Sequence, residues 1–272
     1  MNRRLFLQTL IGATVVANQS AQALLLSGQG DLIVSIYPGT GAAEIDLRLF
    51  KTFTQPLTTA LANKTGKKAY AEPYRSFSLI NSAIKDNRTD VLFVPPIVAI
   101  HAMQYGYQPL VRVKELATGV LVKRKGQHVT RIGITEPDSW LGAMGRNVIA
   151  EHQLGTPAML ETVKTQDAVV YLLEQKAVQA GVLRTEKASK LIATGVYEAW
   201  DPLPVSPDFT VLIHQKLVAS YAETVRQTML TLPAAVTSSL QEAIHVPIKQ
   251  FVTCSKQDYA VLAKAIGEKL PA

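Results

Sequence analysis

The sequence predicts an α/β protein of open, mixed sheets flanked by helices and divided into two lobes, and three observations carry that prediction. Short apolar runs alternate with longer segments whose apolar residues recur every three or four positions, the pattern of strands alternating with helices. The alternation is interrupted by the polar stretch Arg124-Lys125-Gly126-Gln127-His128, which follows neither period and marks a crossing between lobes. The chain, at 272 residues, is long enough to bury one large core or two modest ones.

The elements follow in order. Leu32 to Tyr37 is a strand closed by Pro38-Gly39-Thr40-Gly41, a turn without the third glycine or the lysine of nucleotide loops. A helix over 42–63 carries Ile45, Leu49, Phe53, Leu57 and Leu61 on one face, with Pro56 expected to kink or split it near Thr54 and Gly66 suited to a left-handed cap. A strand at 68–72 leads through Pro73-Tyr74-Arg75 to Ser76, a helix cap ahead of Phe77, Ile80 and Ile84. Asp90 to Val94 is apolar enough to be buried on both faces, and Pro95-Pro96 opens a helix to Gln104. Strands at 109–113 and 117–123 complete a first lobe over 24–123.

A second lobe over 124–209 repeats the scheme: strand 131–135, helix 139–152, strand 158–163, helix 166–175 and strand 177–183, then a short extended piece at 197–200. Residues 210–272 return as a strand at 210–214, helices over 215–231 and 234–244, and a last helix over 256–270 patterned by Tyr259, Leu262, Ile266 and Leu270. They are expected to complete the first lobe.

Residues 1–23 have the order of an export signal: Arg3-Arg4, a mildly apolar run, then Ala21-Gln22-Ala23 as a small-x-small cleavage site. The paired arginines before Leu5-Phe6-Leu7 fit a twin-arginine signal, and they also occur in Sec signals; both routes stay open. No cysteine stands at the cleavage site to carry a lipid. Removing Arg3 and Arg4 lowers the formal charge of +7 by two, a mild basic balance from scattered lysines that serves solubility or an anionic ligand and carries no nucleic-acid motif.

Several landmarks appear in a fixed order: Gln55-Pro56-Leu57 with Thr65-Gly66, Phe77 to Ile84, Asp90 to Pro96, Gly106-Tyr107-Gln108-Pro109-Leu110-Val111, Asp167-Ala168-Val169 and Val178 to Val182. In these the chain resembles the phosphonate, phosphite and phosphate type of periplasmic solute-binding protein of ABC transporters. The resemblance implies the type II periplasmic-binding-protein fold, with a ligand cleft between the lobes, a periplasmic location, a small-molecule ligand and an ABC permease as partner. A periplasmic sensor or adaptor signalling to a membrane kinase or redox partner is the alternative. The family grips its anion with hydroxyls and helix-start N–H groups, where unpaired donors and the helix dipole favour negative charge.

Against the family's pattern, Phe77 replaces a tyrosine, Val98 and Ala99 replace a serine and a tyrosine, and Ser139-Trp140-Leu141-Gly142 stands for a Ser-Thr-Ser-Gly run. Gln166 replaces a histidine and Gln179 an aspartate. The expected cleft therefore has Tyr37, Phe77 and Trp140 as walls, Ser76, Ser139 and Gln166 as donors, and Arg75 and Pro96 at its rim. It suits a small ligand that is anionic or partly apolar with one polar end. Phe77 fits a core-facing position as well as a wall, and Arg75 fits a solvated loop as well as an anion contact.

No catalytic residues, cofactor or metal site are expected. The histidines are isolated, Cys254 has no nearby base, and no nucleophile elbow occurs. A monomer is expected. The exported protein should begin at Leu24; intact-mass measurement of periplasmic material checks this, and a mass that retains residues 1–23 overturns the signal assignment.

Overall fold

The computed structural model describes residues 30–40 and 46–271, so the leader and the position of Ile45 lie outside the described residues. Among the described residues two large sheets form, and they share one strand scheme. In the first, β1 (Leu32–Ile36), β2 (Ala69–Pro73) and β3 (Val91–Val94) are parallel in the order β2-β1-β3. The next place belongs to β12 (Thr210–His214), antiparallel to β3, followed by β4 (Tyr107–Val113) and β13 (Phe251–Thr253). In the second, β7 (Ile132–Thr135), β8 (Leu160–Val163) and β9 (Ala180–Arg184) are parallel in the order β8-β7-β9. Here β6 (Gly119–Arg124) fills the antiparallel place and β10 (Tyr197–Pro202) the edge. Between the sheets, β5 (Leu116–Ala117) pairs with β11 (Ser206–Pro207) in a two-stranded ribbon through which the chain crosses out and back.

This pairing moves the lobe boundary. The run 117–123 was expected to close the first lobe, yet β6 hydrogen-bonds to β9 and β10, so the crossing runs through the β5–β11 ribbon rather than through 124–128. An apolar strand looks the same whichever sheet it joins, and only long-range pairing assigns it.

The helices follow the parallel strands. In the first lobe they are α1 (Leu47–Thr65), α2 (Phe77–Lys85) and α3 (Pro96–Gln104). In the second they are α4 (Trp140–Glu151), α5 (Gln166–Glu174) and α6 (Thr185–Ala193), the last unforeseen by the periodicity. Then come α7 (Gln215–Leu230), α8 (Ala234–Ile244) and the short α9 (Ala260–Ala265). Asp46 caps α1 by accepting from Arg48 and Leu49 N–H, and Gly66 at φ 72° ends it, as its sequence suggests.

Pro56 does not split α1. The carbonyl that it leaves without an amide partner, that of Thr52, lies on an exposed turn, open to solvent. The buried face is Phe50, Thr54, Leu57 and Leu61, with Leu49 half-exposed, so the stripe is rotated by one residue at its start.

The last helix is shorter than its apolar pattern. Ser255 and Asp258 form a capping box that starts a 3₁₀ turn over Lys256–Tyr259, and the helical turns stop at Ile266, before Gly267 at φ 72°. This segment does more than complete the first lobe, because α9 contacts both α3 and α4. Tyr259, Leu262 and Ala263 are buried in a single apolar cluster that joins Ile80, Leu92 and Val98 of the first lobe to Ile134, Met144 and Val182 of the second. The C-terminal segment is thus a wedge between lobes, and its burial is worth more than six helical residues would supply alone. Cys254, beside it, is half-buried, and burial pushes its thiol up to about 11.

Leu262→Ala should lower unfolding stability by roughly 2–5 kcal/mol, the usual cost of a leucine-sized cavity in a core. Urea denaturation measures it. A loss no larger than that of an exposed control such as Val261→Ala, whose side chain is 54% exposed, would show that the wedge is dispensable.

Candidate functional site

In an open α/β sheet the carboxyl ends of parallel strands leave helix starts and loops free to hold a ligand. Both sheets here place their sequence-predicted residues at that edge. Tyr37 follows β1, Arg75, Ser76 and Phe77 follow β2, and Pro96 follows β3; Ser139 and Trp140 follow β7, and Gln166 follows β8. All eight therefore sit at carboxyl edges. Gln179, aligned with a family aspartate, sits at the opposite edge, where its Oε1 accepts from Thr130 N–H, Thr130 O–H and Arg131 N–H and ties down the entry to β7.

On the first-lobe side, Tyr37 is buried with its phenol bonded to Thr40 Oγ1 at 2.9 Å. Burial raises its pKa, with the Thr40 hydrogen bond lowering it and the Asp138 carboxylate raising it by smaller amounts. Its ring belongs to the same buried apolar cluster as Trp140 and Leu141 of the second lobe. Ser76 caps α2 by accepting from Leu79 N–H, and its hydroxyl also meets Ser78 Oγ at 3.1 Å. Phe77 is half-buried and packs on the shared core, so of its two sequence readings the core-facing one describes most of the ring. Pro96 is buried at the first turn of α3, where its missing N–H costs nothing. Val98 and Ala99 are buried core residues, which removes two side-chain donors from this helix start. Arg75 is exposed in its loop.

The second-lobe side is held more tightly. Ser139 Oγ accepts from Gly142 N–H at 3.0 Å, lies 2.7 Å from Glu136 O and is bonded to Thr135 Oγ1 at 2.7 Å. Its single proton is used within the chain, so this serine shapes the helix start rather than acting as the ligand donor its sequence position suggests. Gly142 is obligatory there, because a Cβ would stand 1.9 Å from Glu136 O and 2.6 Å from Thr135 O. Arg146 completes the turn by donating to Thr135 O and Gly142 O.

Trp140 is buried, but its ring is not an open wall. The Arg184 guanidinium lies 4.6 Å over one face, and Gly119 of β6 lacks the side chain that would crowd its Cζ3. Gln166 Oε1 accepts from Arg184 N–H at 2.9 Å, which leaves its amide group to donate.

Three residues escaped the sequence reading. Arg184 ends β9 at the carboxyl edge and forks onto Asp208, Nη1 to Oδ2 at 2.9 Å and Nη2 to Oδ1 at 3.3 Å. Asp208 is a buried acid in the returning segment. Asp138 precedes the Ser139 cap, and its Oδ1 is buried without a partner among the described residues, as is the indole N–H of Trp140. The signal available for Arg184 was its position as a charged residue ending an apolar strand; Asp208 and Asp138 offered none beyond their loops.

A family model described as the periplasmic substrate-binding protein of an ABC phosphonate transporter matches residues 48–259. No curated protein sequence matches the chain. Among solved structures, the chain is similar to PhnD1 from Prochlorococcus marinus in complex with methylphosphonate, at 11% identity and a TM-score of 0.65, over 87% of this chain and 97% of that one. It is similar to XAC2383 from Xanthomonas citri bound to ATP, at 10% identity and a TM-score of 0.70, over 88% and 97%. It is also similar to the aliphatic sulphonate binding protein SsuA from Escherichia coli, at 11% and 0.51, over 89% and 76%. These likenesses are ones of fold, and they agree with the type II arrangement expected from the sequence.

Gly142→Ala should lower stability by about 3 kcal/mol, the upper end of overpacking costs, because the loop at 135–139 must move to admit the new carbon. Thermal unfolding against the parent protein measures it, and an unchanged melting temperature would show that the loop gives way without cost.

Proposed function

Because the chain belongs to the family of periplasmic substrate-binding proteins of ABC phosphonate transporters, we propose that its two carboxyl edges close on a small solute and that the closed form is presented to an ABC permease. The observation that supports this most directly is that residues at the carboxyl edges of both lobes, Tyr37 of one and Trp140 and Leu141 of the other, share one buried cluster. The family's transport description favours this role over signalling to a membrane kinase. Export to the periplasm follows the same reading.

The ligand follows from the groups that remain for it. Helix-start N–H groups of α2, α4 and α5 favour an acceptor or anionic end, and the amide of Gln166 adds a donor. The buried Oδ1 of Asp138 has the opposite need: it favours a ligand group that donates a hydrogen bond, since an unsatisfied buried carboxylate oxygen is costly. With Val98 and Ala99 in place of polar residues, a bare dianion loses side-chain partners on the first-lobe side. The ligand that fits is small and two-ended, with an oxyanion or carbonyl at the helix starts, a hydroxyl or amine toward Asp138, and apolar contact with Tyr37 and Phe77.

A thermal-shift panel of phosphonates, sulphonates, hydroxy acids and amino-phosphonates should show stabilisation by two-ended members, growing with concentration as expected for a ligand that binds only the folded state. Asp138→Asn should weaken the best of them by about tenfold or more, consistent with the 1.5–3 kcal/mol of a hydrogen bond to a charged group. A preference for plain oxyanions, unchanged by that substitution, would remove Asp138 from the site.

A further inference from the structure

Two side chains at the carboxyl edge of the second lobe, Trp140 and Gln166, are both held by one residue that the ligand reading does not use. Arg184 covers the Trp140 ring with its guanidinium, fixes Gln166 Oε1 with its backbone N–H, and forks onto Asp208. Arg184 belongs to the second-lobe sheet. Asp208 belongs to the segment returning to the first: it follows β11, and Phe209 beside it is buried in the first-lobe core with Phe93 and Val211.

The connection continues beyond the ion pair. Thr210 Oγ1 donates to Asp208 O and lies 2.5 Å from Tyr259 Oη. Tyr259 leads into α9, and α9 contacts α4, the helix that begins with Trp140. The path thus closes on itself, from Trp140 through Arg184, Asp208, Thr210, Tyr259 and α9 back to α4. The residues around Arg184 are tied to the outward crossing as well, since Thr185 N–H donates to Thr118 O and Gly119 is in register with Arg184.

We propose that Arg184 is the positioning residue of the cleft: by clasping Asp208 across the lobes while holding Trp140 and Gln166, it sets the interlobe angle at which the cleft stands before a ligand arrives. The chemistry suits the role. A guanidinium forks onto a carboxylate in one geometry and stacks on an indole at the same time, which the point charge of a lysine does not do. The pair is largely shielded, with side chains 29% and 12% exposed, so it is screened less than a surface pair and its geometry is constrained. Lobe closure is a hinge motion, and a clasp at the hinge biases it. The inference goes beyond the ligand assignment and depends only on the two-lobed fold.

The test uses the ligand-free protein in a Cys254→Ala background, with spin labels at exposed Gln55→Cys on α1 and Glu174→Cys on α5. Pulsed dipolar spectroscopy reads the interlobe distance. The parent should show one narrow distribution. Replacing the whole pair by apolar residues, Arg184→Met with Asp208→Leu, avoids leaving a buried charge alone and should preserve the melting temperature. It should nevertheless shift and broaden the distribution, and Arg184→Lys should do so to a smaller extent. Distributions matching the parent in both folded variants would overturn the proposal. Failure of a ligand panel, with these shifts present, would count against the ligand reading alone.

Discussion

Everything else in the molecule depends on an exchange of strands. Each sheet has three parallel strands that reach the same edge, and each is continued by an antiparallel strand entering from the other lobe, β6 in one direction and β12 in the other. Both crossings lie side by side in the β5–β11 ribbon, so the lobes are joined by backbone pairing and not by a flexible tether. With each helix start placed at the carboxyl edge of its strand, each lobe presents its unpaired backbone donors along one edge.

Packing then limits how freely the lobes behave as separate bodies. One apolar cluster extends through both, with the C-terminal wedge inside it, and Arg184 with Asp208 adds a polar tie close to the crossings. The same packing decides the fate of the cleft residues. Ser139, Trp140 and Gln166 are at the carboxyl edge proposed to meet a ligand, yet each is already engaged: the serine in its helix cap, the indole face under a guanidinium, the glutamine oxygen on an amide. The groups left over, a carboxylate oxygen and an indole N–H without partners among the described residues, had no mark in the sequence that separated them from ordinary loop and core residues.

Local physics was legible. The strands β1, β3 and β12 and the caps at Ser76 and Gly66 follow from apolar runs, from a side chain that accepts from backbone N–H and from a glycine that adopts the left-handed conformation without strain. The order of landmarks over the chain pointed to the family, and the family model agrees. Two of the misplacements concern features settled by distant partners, and the third a local stop that an apolar pattern overran. The lobe boundary required knowing that β6 pairs with β9, the buried face of α1 required the core it meets, and the last helix was cut short by a glycine despite an apolar pattern that continued to Leu270.

By itself, then, the amino-acid sequence determined the α/β character, most of the succession of elements, the caps at Ser76 and Gly66 and the strand ends at which the candidate residues stand, because all of these arise from side-chain period and nearest-neighbour hydrogen bonding. The tertiary structure alone decided which sheet each apolar strand joins, that the C-terminal segment wedges between lobes, and that Arg184 meets Asp208 and Trp140. Those contacts join residues far apart in the chain, and their energies come from burial and from charge geometry that no local pattern encodes.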